Sequence, residues 1–143
     1  VLTYSCNDQY FYFNRRIMQK FELKETSTTP YVLLDNLNGI IKLEGRSIPE
    51  NVIDFYQPII HWIESYIKEP CNTTLVHFKL EYFNTSSSKR IFDIMKKVET
   101  IAAQEGKTVT INWYYEEDDE DIFFAGNDYK TLVPKVEFNL LEL

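Results

Sequence analysis

The chain has 143 residues, about one domain's worth, with 44% hydrophobic, 15% aromatic and 26% charged residues, so it can bury a core without relying on disulfides or metals. Its formal charge is −7, and with no basic stripe this excludes nucleic acid and anionic membrane surfaces as natural partners. Six of the acids are consecutive, Glu116 to Asp121; setting those six aside leaves −1, so the acidity is local.

Residues 1–25 read as an N-terminal extension. Within it, 1–17 carry the aromatic run Tyr10-Phe11-Tyr12-Phe13 and no clear period, and Met18 is the first methionine and the favoured natural start. The two cysteines, Cys6 and Cys71, form no CxxC pair. That usage suits a reducing compartment and gives no disulfide framework. With neither a signal-peptide pattern nor an apolar run of membrane-spanning length, the expected location is the cytoplasm. In that setting Asn72-Thr73-Thr74 and Asn84-Thr85-Ser86 read as chance matches to the glycosylation pattern.

Residues 26–143 read as one domain. Tyr31–Asp35 and Ile40–Glu44 form a hairpin around the turn pair Asn38-Gly39, which tolerates positive φ. Ser47-Ile48-Pro49-Glu50 fits a capping box opening a helix over 49–68, with a kink or break expected at Pro58. Leu75–Phe83 alternates as a strand, with Val76, Phe78, Leu80 and Tyr82 on one face. A helix follows over about 87–104, then a strand over Thr108–Tyr115. A short helix after the acidic run should end near Gly126-Asn127, and Val136–Leu140 suggests a last strand. The alternation predicts an α/β fold: an N-terminal hairpin, a mostly parallel sheet of four to five strands, two long helices and a short third. The unit 75–115 is βαβ, so both strands deliver their carboxyl ends to one sheet edge, where open α/β sheets carry sites.

Three groups reach that edge. The hydroxyls Thr85, Ser86, Ser87 and Ser88 are consistent with helix capping or with phosphorylation at a helix N-terminus. A serine nucleophile is disfavoured, because G-x-S-x-G is missing and His61 and His77 are remote in sequence. The acidic run suits a solvated helix start, a docking surface or a Mg²⁺ or Ca²⁺ site. Trp113 and Tyr115 should face the core and leave Tyr114 for a partner.

Four stretches resemble the SiaC family of bacterial regulatory phosphoproteins: Leu43–Asn51, Phe55–Trp62, Phe78–Lys89 and Trp113–Asp121. They keep the same order over about 26–139. The resemblance implies a fold like that of STAS domains, the anti-sigma-factor-antagonist type, and a partner switch. Thr85 would be phosphorylated by a Ser/Thr kinase and dephosphorylated by a PP2C-type phosphatase. The unphosphorylated form would bind and activate a diguanylate cyclase, raising cyclic di-GMP and promoting biofilm. On that basis the expected modification site is Thr85 before Ser86, Ser87 or Ser88. The expected partner surface comprises Arg46, Ser47, Asn84, Tyr114, Asp118, Asp119 and Asp121, with no cofactor, metal or catalytic residue. The alternative is a small metal-dependent enzyme or ligand-binding domain using 45–47, 84–88 and 116–121.

Overall fold

The turn at Asn38-Gly39 sets the fold's first crossing. Gly39 adopts φ +69°, and a Cβ there would lie 2.5 Å from the Thr73 carbonyl, so only glycine fits. The structure, a computed structural model, describes residues 18–143. The aromatic run and the start at Met18 concern residues 1–17, which lie outside that range.

Six strands form one sheet in sequence order: β1 (Phe21–Leu23), β2 (Tyr31–Asp35), β3 (Ile40–Ser47), β4 (Thr73–Phe83), β5 (Thr108–Tyr115) and β6 (Glu137–Glu142). The first two pairings are antiparallel and the last three parallel. Three helices make the crossovers: α1 (Val52–Tyr66), α2 (Thr85–Glu99, continued by a 3-10 turn over Thr100–Ala103) and α3 (Glu120–Leu132). Each crossover advances one strand in the same direction. Right-handed connections therefore put all three helices on one face. Side-chain burial agrees: Ile41, Leu43, Val76, Phe78, Ile111 and Trp113 are fully buried against the helices, whereas Lys42, Glu44, His77, Lys79, Asn112 and Tyr114 on the other face stay at least partly exposed. The sheet is mostly parallel, yet among the described residues one face has no helical cover.

Several expectations need correction. A sixth strand, β1, pairs with Val32–Leu34, so the sheet begins before residue 26; three residues are too few to show a period. Ser47 does not cap α1. It ends β3 with no exposed surface, and Asn51 caps the helix by accepting from the Asp54 N–H at 3.1 Å. Pro58 does not break α1; it lies on the exposed side one turn after Asp54, where water can satisfy the carbonyl it leaves without a donor. Helix α2 starts at Thr85, two residues early.

The third helix is 13 residues long and runs through Gly126. That glycine is a packing requirement, not a stop: a Cβ there would lie 2.3 Å from the Trp113 ring. Tyr82 does not face the core and is 48% exposed. A bulge opposite Gly45/Arg46 adds one residue to β4 and reverses the pleat phase beyond it, so Phe83 turns inward onto Trp113 at 5.9 Å. Cys71 is buried; the other cysteine, Cys6, lies outside the described residues. Among the described residues no helix is long and apolar enough to cross a membrane.

Candidate functional site

The bulge also fixes the turn that follows β4. Asn84 is the N-cap of α2, its Oδ1 accepting from the Ser87 N–H at 2.9 Å. Thr85 is therefore the first residue of the helix. The four hydroxyls of 85–88 point to four different environments. Ser87 is fully buried and its Oγ donates to the Ser47 carbonyl at 3.0 Å. Ser88 donates to the Thr85 carbonyl at 2.7 Å. Ser86 is exposed and donates to Asn84 Oδ1 at 3.2 Å. Thr85 is exposed, and its hydroxyl makes no hydrogen bond among the described residues.

Behind this turn runs an ordered chain of buried hydroxyls. Ser47 Oγ donates to Ser87 Oγ at 2.9 Å, so the Tyr56 phenol, 2.6 Å from Ser47 Oγ, must be the donor of that pair. Burial pushes the Tyr56 pKa up to about 12, which keeps the phenol protonated. The Ser47 carbonyl also accepts from the Asn84 N–H at 3.2 Å. The end of β3 and helix α1 thereby hold the start of α2. From the other side, the Tyr129 phenol of α3 donates to the Ser88 carbonyl at 2.8 Å. Nothing in the sequence singled out Tyr56 or Tyr129 for these roles; both occupy apolar helix positions where a phenol reads as filling.

The electrostatics around Thr85 favour an anion. The first turn of α2 has no acidic residue, and its free N–H groups and dipole are positive at this end. Thr85 opens onto a hollow of about 550 Å³ lined also by Val52, Ile53, Ser86, Lys89 and Arg90. The two cations went unremarked in the sequence, although Lys89 stands at i+4 from Thr85, one turn along the same helix face.

The remaining expected residues divide. Arg46 is exposed and lies over the Tyr82 ring at 5.4 Å. Ser47 is buried and can reach a partner only through the turn it supports. Tyr114 is half-buried on the uncovered sheet face, where its hydroxyl meets His77 Nδ1 at 3.2 Å; burial and Lys42 hold the His77 pKa low. Asp119 is the N-cap of α3, accepting from the Ile122 N–H at 3.0 Å, while Asp118 and Asp121 are exposed.

The acidic run shares the sheet edge with Thr85 by topology but borders other hollows. Asp118 to Asp121 line one of about 430 Å³. Glu116 and Asp119 join Glu25, Glu44 and Glu81 around another of about 510 Å³. Among the described residues, no group of three or more His, Cys, Asp or Glu side chains is arranged to hold a metal ion.

Known proteins share this fold. The model of the family described as SiaC family regulatory phosphoprotein matches residues 23–143. A protein of Pseudomonas aeruginosa strain UCBPP-PA14, itself uncharacterised, is 27% identical over 113 residues, covering 79% of this chain and 89% of its own. Apo-SiaC from Pseudomonas aeruginosa superposes with a TM-score of 0.77 at 23% identity, covering 87% of this chain and 99% of that one. SiaC in the crystal structure of the diguanylate cyclase SiaD with its activator SiaC, also from Pseudomonas aeruginosa, gives a TM-score of 0.79 at 23% identity, covering 86% and 99%. At that identity the structural likenesses establish the fold. The family model spans most of the chain, and the protein belongs to the SiaC family of regulatory phosphoproteins.

Proposed function

We propose that this protein is a non-enzymatic phospho-regulated switch of the cytoplasm, modified at Thr85. The observation that carries the reading is the state of that hydroxyl: of the four in 85–88, it is the one that is both exposed and without a hydrogen bond. A kinase can reach it without unfolding the helix start, whereas Ser87 requires the buried hydroxyl chain to open. A phosphate there brings a charge of about −1.5 to −2 to a helix N-terminus, so the fold accommodates it and the effect falls on whatever binds this surface.

Family membership and the likeness to a SiaC described as the activator of SiaD support a cyclase partner. A Ser/Thr kinase adds the phosphate and a PP2C-type phosphatase removes it. The unphosphorylated protein binds and activates a diguanylate cyclase, feeding cyclic di-GMP signalling and biofilm formation. Arg46, Asn84, Asp118 and Asp121 belong to the docking rim at the same sheet edge. No observation favours the metal-dependent alternative.

The test is intact mass and phosphopeptide mapping after coexpression with a Ser/Thr kinase of the same organism. One added phosphate on Thr85, lost in Thr85→Ala, is the expected result. Modification that persists in Thr85→Ala would overturn the assignment.

A further inference from the structure

Helices α1 and α2 both begin at the sheet edge, run down the same face and are joined lower down by Lys97 Nζ on Glu64 at 2.9 Å. Between them the surface is indented. The hollow beside Thr85 shares Ile53 and Arg90 with a second one of about 220 Å³ lined by Gln57, Ile60, His61 and Glu64. The two form one groove starting at the phosphorylation site. Ile53 is 52% exposed on its floor, with half-buried Ile60 farther along it. From Ile53 to Glu64 it follows eleven residues of helix, roughly 16 Å or three turns.

The upper half of this groove is locally cationic in a chain of net charge −7. Two helix N-termini open onto it. Lys89 has no ion pair among the described residues, and Arg90 is held by Asp93 at 3.1 Å on the surface, where such a pair is weak.

We infer that this groove is the docking site for an acidic amphipathic helix of the partner, its apolar side on Ile53 and Ile60 and its carboxylates on Lys89 and Arg90. The inference rests on the switch reading and specifies how the switch acts. Apolar anchors at i, i+4 and i+7 suit a groove between two parallel helices. The charge complementarity also explains why the modification sits where it does. Thr85 is one turn from Lys89, so a phosphate of about −1.5 to −2 cancels the two cations. It leaves a neutral or negative rim that repels the carboxylates it formerly attracted.

The experiment measures the Kd of the full chain for a diguanylate cyclase of the same organism, by calorimetry at low and high salt. Lys89→Glu with Arg90→Glu should weaken binding at least tenfold and abolish or invert its salt dependence, and phosphorylation of Thr85 should act in the same direction. Lys79→Glu on the uncovered sheet face should leave it unchanged, and thermal melts should show all variants folded. Equal binding by the reversed variant would overturn the groove assignment while leaving the switch intact. Tighter binding would mean a basic occupant, and loss of a dimer by the same variant would mean a second copy of this chain; either overturns the proposal. A wild-type chain that binds no cyclase would refute the switch reading and this inference together.

Discussion

Ser47→Ala is the most informative single change behind the turn that carries Thr85. It removes the closest acceptor of the Tyr56 phenol, which is 2.6 Å away and fully buried, and leaves the phenol only the more weakly placed Ser87 hydroxyl. Ser87 loses a donor but keeps its own bond to the Ser47 carbonyl, which the substitution leaves in place. The cost is therefore mainly that of a buried phenol deprived of its closest acceptor, about 1–3 kcal/mol. Tyr56→Phe removes the phenol itself and leaves Ser47 still donating to Ser87, at about 0.5–1.5 kcal/mol. With both changes no phenol remains to be orphaned, so the double variant should be more stable than the sum of the singles predicts, by about 1 kcal/mol. Urea unfolding of all four proteins at pH 7, followed by circular dichroism, measures this directly. A double variant equal to the sum of the singles within about 0.3–0.5 kcal/mol would refute the hydroxyl chain as a coupled unit.

Three further outcomes are expected. Gly126→Ala should lower stability by about 1–2 kcal/mol: overpacking against Trp113 and Leu140 outweighs the roughly 1 kcal/mol gained in helix propensity, and a rise in Tm would contradict the packing. Tyr56 and Tyr129 both have pKa values raised from 10.0 to about 12 by burial. Their stabilisation is complete below pH 10 and is lost as pH rises through about 12, so Tyr56→Phe should flatten the loss of stability between pH 10 and 12; an unchanged slope would count against it. Asp118→Asn with Asp121→Asn should weaken kinase or cyclase binding, whereas Asp119→Asn should keep the helix cap, since Asn caps as well as Asp. Binding equal to wild type in the double variant would return the acidic run to a solvated helix start.

The hairpin and the parallel crossovers were legible because their signals are local. Asn38-Gly39 marks its own turn, and β5 was bounded to the residue by its alternation. The misreadings lie where a distant residue decides. Ser47-x-x-Glu50 satisfies a capping pattern, but partners nine and forty residues away capture that hydroxyl. Gly126 reads as a helix terminator until Trp113, thirteen residues earlier, claims the space its side chain would fill. Tyr82 follows the alternation of β4 up to a bulge that depends on the pairing with β3. At the site, composition identified a hydroxyl cluster on a helix start, and the family resemblance singled out Thr85 within it. The separation of exposed Thr85 from buried Ser87 depends on tertiary packing. The groove beside it joins residues of two helices some thirty positions apart, which no single-chain spacing reveals.

The central claim is that Thr85 controls partner engagement, and cyclase activation tests it most directly. Product formation by a diguanylate cyclase of the same organism should be stimulated by the unphosphorylated protein and by Thr85→Ala. It should not be stimulated by protein phosphorylated stoichiometrically at Thr85. Equal stimulation by the phosphorylated and unphosphorylated forms would contradict the account.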